Sequence, residues 1–312
     1  MSLTDPRKLL GHAVTEVAEH DERIVVLSTD SGNSSGFGAF AQEHPDRYIE
    51  LGIMEQAATG IAAGLATTGL VPVLCAIAPF VTSRNFEMFR NDLGYMRQNV
   101  KIVGRNGGMS YADLGPTHYS LEDFSIIRMI PGVVVIAPQD PGEIRAAAHA
   151  MLNHVGPVYL RIGAQQIPDL FTTDDFTIGR GRLISSGNDV TVISTGTATV
   201  NTMRACETLR EEGISVEHLG MPTIQPLDEH LVLESVRRTG HVVTVEEHYV
   251  AGGLFGAVSE LLAEHCPTRA LALGVDLDYV HGGPYPALLE EHGLTPEAIA
   301  QTIAAWARDE RR

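Results

Sequence analysis

Positive charge is scarce in this chain. Its 312 residues hold 22 Lys and Arg against 39 Asp and Glu, a formal charge of −17 at pH 7. The cations are scattered and form no basic stripe. Nucleic acid and anionic membrane surfaces both select basic patches, so neither is an expected partner. Cysteine is rarer still. Cys75, Cys206 and Cys266 stand far apart, with neither metal-ligand spacing nor the even count of a disulfide framework. A reducing cytoplasm is the compartment that fits. The N-terminus, MSLTDPRKLLGHAVTE, has no apolar signal core, which argues against export.

One long uncharged run exists, from Gln56 to Ser83, and its length raises a membrane-span reading. TTG at 67–69 and Pro72 break it, and its first half is rich in Ala and Gly rather than Leu and Phe. A buried helix followed by a buried strand is expected instead. SGNSSG (31–36) and GRNGG (104–108) are glycine-rich, but neither matches GxxxxGK[ST] or GxGxxG and neither has a companion lysine. Both read as ordinary turns. No Cys and His are placed as a nucleophile pair.

What is present is a regular alternation of strand and helix patterns. IVVLSTD (24–30), VPVLCAI (71–77), VKIVGR (100–105), VVVIAP (133–138) and PVYLRIG (157–163) are nearly continuous apolar runs, as strands covered on both faces are. Between them lie helix patterns such as PGEIRAAAHAMLNH (141–154), where Pro141 suits the first turn and Asp140 can cap it. TTDDFTIGRGR (172–182) reads as a linker. A second series follows: DVTVISTG (189–196), ISVEHLGM (214–221), HVVTVEEH (241–248) and ALALGVD (270–276), with helices between. The fold class is therefore α/β, with two parallel-sheet domains over residues 1–175 and 180–312.

In open parallel sheets, ligands sit beyond the carboxyl ends of the strands. Asp30 with SGNSSG, Ala78-Pro79-Phe80, GRNGG and LGPTHYS (114–120) occupy such ends. A loop histidine like His118 is, taken alone, more often structural than catalytic. His218, His241 and His248 are expected at strand edges of the second domain without metal spacing. Glu246 and Glu247 close a strand, and an exposed charged end is the plain account of them.

Glu55 resists the plain account. It heads the run EQAATGIAAGLATTG, and no charged residue follows until Arg84. An acid there is heading inside, where a charge needs a partner. A carboxyl in an apolar pocket can hold a proton near neutral pH and donate a hydrogen bond, which suits biasing a basic ring nitrogen on a cofactor. The competing reading is a helix-start glutamate facing the N-terminal dipole.

The order of these segments resembles one family. YIELGIMEQAATGIAAGLATTGLVPVLCAIAPF (48–80) and LGPTHYSLEDFSIIRMIPGVVVIAPQDPGE (114–143) resemble the pyrimidine-binding domain of transketolases. DVTVISTG, MPTIQPLDE (221–229), TVEEHYVAGGLFGAVSELLAE (244–264) and GGPYPALLEEHGLTPEAIA (282–300) resemble the transketolase C-terminal domain. The resemblance implies a pyrimidine-binding thiamin-diphosphate fold followed by a Rossmannoid domain, and thiamine diphosphate as cofactor. It implies that Glu55 hydrogen-bonds N1′ of the aminopyrimidine and so favours the 4′-imino tautomer that deprotonates C2 of the thiazolium. It implies that Phe80 stacks on the aminopyrimidine and that His118, in Gly-Pro-Thr-His, faces the donor sugar. Asp30 and Phe86 join the cofactor-binding set by the same resemblance.

The family's diphosphate-binding domain carries Gly-Asp-Gly and a downstream Asn that hold the metal, and this chain contains no Gly-Asp-Gly. The resemblance therefore implies the second half of a split enzyme. An N-terminal, diphosphate-binding partner subunit would hold Mg2+ or Ca2+, most simply in an α2β2 heterotetramer. The small residues of GIAAG (60–64) suit such an interface. The reaction implied is transfer of a two-carbon ketol unit from a ketose to an aldose-type acceptor, on sugar or sugar-phosphate substrates. Arg7 and Ser34 match family residues that contact the substrate phosphate. Asn106 stands where the family has a phosphate-contacting histidine, Ala164 where it has an arginine, and Leu114 where it has an aspartate that reads the donor's C2 hydroxyl. Arg161 is the nearby cation that could supply the missing charge. Deoxyxylulose-phosphate synthase and the β subunit of 2-oxo acid dehydrogenases share parts of this plan. The first is a single full-length chain, and LGPTHYSLED sets this sequence apart from the second. A stand-alone binding module would leave Glu55, Phe80 and His118 as coincidences.

Overall fold

The computed structural model describes residues 3–173 and 175–309, so Asp174 of the expected linker and the first two residues of the N-terminal segment lie outside the described residues. The strands in chain order are β1 (Leu3–Thr4), β2 (Ile24–Ser28), β3 (Tyr48–Glu50), β4 (Val71–Ile77), β5 (Lys101–Arg105), β6 (Val134–Ile136) and β7 (Val158–Arg161). The second half adds β8 (Ile167–Pro168), β9 (Arg182–Ser185), β10 (Val190–Ser194), β11 (Val216–Gly220), β12 (Thr223–Gln225), β13 (Val242–Tyr249) and β14 (Ala270–Val275). They form a seven-stranded sheet in the order β12-β6-β7-β5-β4-β2-β3 and a five-stranded sheet in the order β14-β13-β10-β11-β9. Only the edge strands β12 and β9 run antiparallel in these two sheets, and β1 pairs β8 apart from them.

The continuous apolar runs became the interior strands for the expected reason. Every residue of β2, β5, β6, β7, β10 and β11 is buried, because helices cover both faces of each sheet. In β2, Ile24 and Val26 face one core and Val25 and Leu27 the other, as alternation along a strand requires. The first core takes the helices Pro6–Ala18 and Pro141–Asn153. Asp140 caps the latter, accepting from the Glu143 amide at 2.8 Å. The other face takes the helix Glu55–Ala66 through Ala58, Ala62 and Ala63, together with helices Glu229–Thr239 and Leu254–His265 from the second half of the chain.

That shared core is one way the two halves are locked. The other is β12, which follows Met221 in the second half yet adds to the first sheet beside β6. Edge strands of three or four residues leave no periodicity to read, and β3 and β9 escaped the sequence for the same reason. The run from Gln56 to Ser83 divides as expected, into the helix Glu55–Ala66 and the strand β4. No helix among the described residues is long and apolar enough to cross a membrane.

Candidate functional site

Three expected residues meet at the carboxyl end of the first sheet. β4 runs straight into the short helix Ala78–Val81, which places Phe80 just past the strand end. Glu55 opens the helix Glu55–Ala66 and is 5% exposed. His118 follows β5 in a loop bent at Gly115, whose φ of 71° is left-handed and suits glycine. The His118 amide bonds the Gly115 carbonyl at 2.9 Å, and Thr117 Oγ1 lies 2.9 Å from His118 Nδ1. The Phe80 and His118 rings meet edge-on, 5.2 Å between centroids, and Tyr111 meets His118 from another side at 5.6 Å. Tyr111 also lines a cleft of about 560 Å³ with Asp113, Leu114, Gln165 and Tyr285.

The partner of the buried carboxylate is Arg84, the first charged residue after it in the chain. Its Nη1 donates to Glu55 Oε2 at 3.1 Å, and its guanidinium carbon lies 3.7 Å from the Phe80 ring centre. Partial burial and then the charge of Arg84 hold the His118 imidazole below the usual histidine range, so it is neutral at pH 7. A buried acid, a flat aromatic face and a neutral imidazole are thus joined, the acid and the ring face through Arg84 and the imidazole through the Phe80 ring edge. This set can hold a planar basic ring and exchange protons with hydroxyl groups.

The other expected residues lie as follows. Asp30 is exposed, at φ 62°, with its amide on Glu50 Oε1 at 2.7 Å. Phe86 is half-buried against the core and lines a separate cavity of about 840 Å³ with Arg90, Tyr95 and Met129. Arg7 pairs with Asp5 at 2.9 Å. Ser34 donates to the Ser31 carbonyl at 2.9 Å and accepts from Arg105 at 3.1 Å. Gly32–Gly36 spells Gly-x-Ser-x-Gly, but those bonds tie Ser34 into its own loop, not to a histidine base. Arg105, which the sequence reading passed over, is 3% exposed and also bonds Ser35, so its charge lies beneath that loop. Asn106 is 2% exposed at φ 58°, and its Oδ1 has no partner among the described residues.

Three expectations are corrected. Arg161 is not a free cation for substrate. It is 6% exposed, bonds Asp123 Oδ1 at 3.1 Å and the Glu247 carbonyl at 2.6 Å, and lies 4.3 Å over the Phe124 ring. It ends β7 inside the sheet, so its side chain enters the seam between the halves. Glu246 and Glu247 are not an exposed strand end either, nor do His218 and His248 stand at edges; all four are buried inside β11 and β13. Glu247 accepts from the Met109 amide at 2.6 Å, Tyr285 at 2.7 Å and Thr197 at 2.9 Å. Glu246 accepts from the Leu254 and Phe255 amides at the start of their helix. Burial pushes both carboxyls above the usual glutamate range. In a strand covered on both faces, a charged pair reads as an end only until its partners from distant segments are known.

Residues 4–169 match the transketolase pyrimidine-binding domain family and residues 179–299 the transketolase C-terminal domain family. The chain is 36% identical to an apulose-4-phosphate transketolase subunit of Phocaeicola vulgatus, over 97% of each chain. It is 38% identical to a 6-deoxy-6-sulfo-D-fructose transketolase subunit of a Clostridium species, over 92% of this chain and 89% of that one. A solved split-gene transketolase, described as an inactive beta4 tetramer, superposes with a TM-score of 0.90 at 36% identity, covering 96% of this chain and 97% of that one.

Proposed function

Because this chain belongs to the transketolase family, we propose that it works as the β subunit of a split enzyme whose Glu55, Phe80 and His118 complete a thiamine diphosphate site at a partner's diphosphate-binding domain. The carrying observation is the Glu55 carboxylate, 6% exposed and met among the described residues by one cation, Arg84, beside the half-buried Phe80 ring. A buried acid beside a flat aromatic face fits a planar basic ring, and the residues present fit the group. When bound, thiamine diphosphate supplies the reactive carbon for ketol transfer, which no amino-acid side chain provides. Glu55 would hold a proton at ring nitrogen N1′, and Phe80 would support the ring face. His118, neutral at pH 7, would move the hydroxyl protons of the sugar.

A partner subunit is supported by the surface beside the acid. Met54, Ala57, Ile61 and Gly64 are exposed and fall at i, i+3, i+7 and i+10, so the outer face of this helix is apolar and small-sided. Ile53, next to it, is 74% exposed. We assign the divalent metal to the partner, since no group of three or more His, Cys, Asp or Glu among the described residues could hold one. An α2β2 assembly is the simplest arrangement. We place the reaction in the cytoplasm, a reading supported by three free thiols.

For substrate we propose a sugar whose phosphate, if it carries one, matters less than in sugar-phosphate transketolases. Arg7, which pairs with Asp5, and Ser34 are the phosphate contacts the resemblance leaves, whereas Asn106 and Ala164 bring no charge and Arg161 is committed elsewhere. Leu114, 47% exposed at the cleft, cannot read a C2 hydroxyl by hydrogen bonding.

The test is Glu55→Gln in the assembled enzyme. Only an ionisable acid can place the proton at N1′, so exchange of the cofactor's C2 hydrogen for deuterium should fall by orders of magnitude while the fold is kept. Near-normal exchange would show that Glu55 has another role.

A further inference from the structure

Arg84 makes both contacts that a planar basic ring would need in this site. It is a flat, nitrogen-bearing cation that bonds Glu55 Oε2 at 3.1 Å and lies 3.7 Å from the Phe80 ring centre. Guanidinium groups stack on aromatic faces and bond carboxylates in plane, so one side chain satisfies both. The backbone around it is pinned: its amide bonds the Pro79 carbonyl at 3.0 Å, and its carbonyl accepts from Gln56 Nε2 at 3.1 Å. The next residue, Asn85, is buried and bonds Thr59 at 2.6 Å. The side chain is different. It is 42% exposed, whereas the Glu55 side chain is 6% exposed.

That asymmetry decides what each partner can do. A half-exposed arginine regains water when it leaves, and such pairs are worth little to the cation. A carboxylate buried in an Ala-rich helix start cannot be left alone without a large penalty. The 28 residues between the two are uncharged, so the intervening segment offers no other countercharge. We propose that Arg84 is a displaceable stand-in for the cofactor ring. It compensates Glu55 and covers Phe80 in the cofactor-free chain, and it is exchanged for the aminopyrimidine when thiamine diphosphate binds. Cofactor binding is then a competition at one carboxylate, and Glu55 is never left buried without a partner. The proposal rests on the reading that Glu55 receives the aminopyrimidine.

The test uses the chain assembled with its diphosphate-binding partner. Thiamine diphosphate affinity with magnesium is measured by calorimetry, and Tm is measured without cofactor and at saturation. Arg84→Gln should lower the cofactor-free Tm and tighten thiamine diphosphate binding at least fivefold, with the Tm difference disappearing at saturation. Arg84→Lys keeps the charge but loses the flat stack and should fall between. In a Glu55→Gln background, Arg84→Gln should change affinity less than twofold. Weaker or unchanged binding in Arg84→Gln would overturn the stand-in and make Arg84 a cofactor contact or a bystander. A merely structural arginine would lower both Tm values alike, which also overturns it. Failure of the unmutated complex to bind thiamine diphosphate at all would instead overturn the functional reading, and this inference with it.

Discussion

Replacing Arg161 with alanine separates a ligand residue from a structural one. In the structure its guanidinium bonds Asp123 Oδ1 and the Glu247 carbonyl and covers the Phe124 ring, at 6% exposure. Asp123 is 0% exposed, and its other oxygen takes the Tyr159 hydroxyl at 2.6 Å. Arg161→Ala would leave Asp123 buried without its arginine, with the Phe124 amide, the Tyr159 hydroxyl and the His248 ring at 3.9 Å as its remaining neighbours. Removing one partner of a buried pair costs about 3–5 kcal/mol. At about 2–4 °C per kcal/mol for units of this size, Tm of the purified chain should fall by about 6–20 °C. Arg161→Lys should recover only part of this, since a lysine cannot repeat the forked contacts. A surface arginine that grips a substrate phosphate behaves differently: its loss leaves stability within about 0.5 kcal/mol and raises KM for phosphorylated sugar. Unchanged Tm with a raised KM would instead return Arg161 to the substrate site.

Three further outcomes are expected. Burial, and then the charge of Arg210, push His218 down to about 3 from its ordinary 6.5. Between those values the unfolded chain binds a proton that the folded chain refuses. The stability present above pH 6.5 is therefore lost as pH falls toward 3, at up to about 1.4 kcal/mol per pH unit, and His218→Gln should flatten that acid limb in denaturant titrations. Glu247→Gln should destabilise the chain by about 1–3 kcal/mol, and its effect should be less than additive with Arg161→Ala in a double-mutant cycle, because the two share one network. The reconstituted enzyme should prefer phosphorylated over matched unphosphorylated acceptors by less than about a thousandfold in kcat/KM, some 4 kcal/mol; a larger preference would mean that other residues rebuild the phosphate contacts.

Much of this molecule was legible because its strands are buried on both faces. VPVLCAI and DVTVISTG could hardly be anything else, and each is a strand within a residue or two of its expected ends. Glu55 was legible as a buried acid in need of a partner for the opposite reason: a charge at the head of an apolar run conflicts with its surroundings. What could not be read was pairing at a distance. Glu246, Glu247 and His248 look like a solvated strand end until Met109, Thr197, Tyr285 and Arg161 come to meet them. Arg84 was visible only as the end of the uncharged run. Its reach across 29 positions to Glu55 depends on the turn after β4, which no local pattern encodes. Edge strands as short as Thr223–Gln225 carry too few residues for any period to show.

We assign to this chain one half of a shared thiamine diphosphate site. It is tested most directly by measuring ketol transfer from a ketose donor, with thiamine diphosphate and magnesium, as the diphosphate-binding chain is titrated into this one. No turnover is expected from this chain alone, and activity should rise with the partner until the two are equimolar. Ketol transfer by the purified chain without any partner would contradict it.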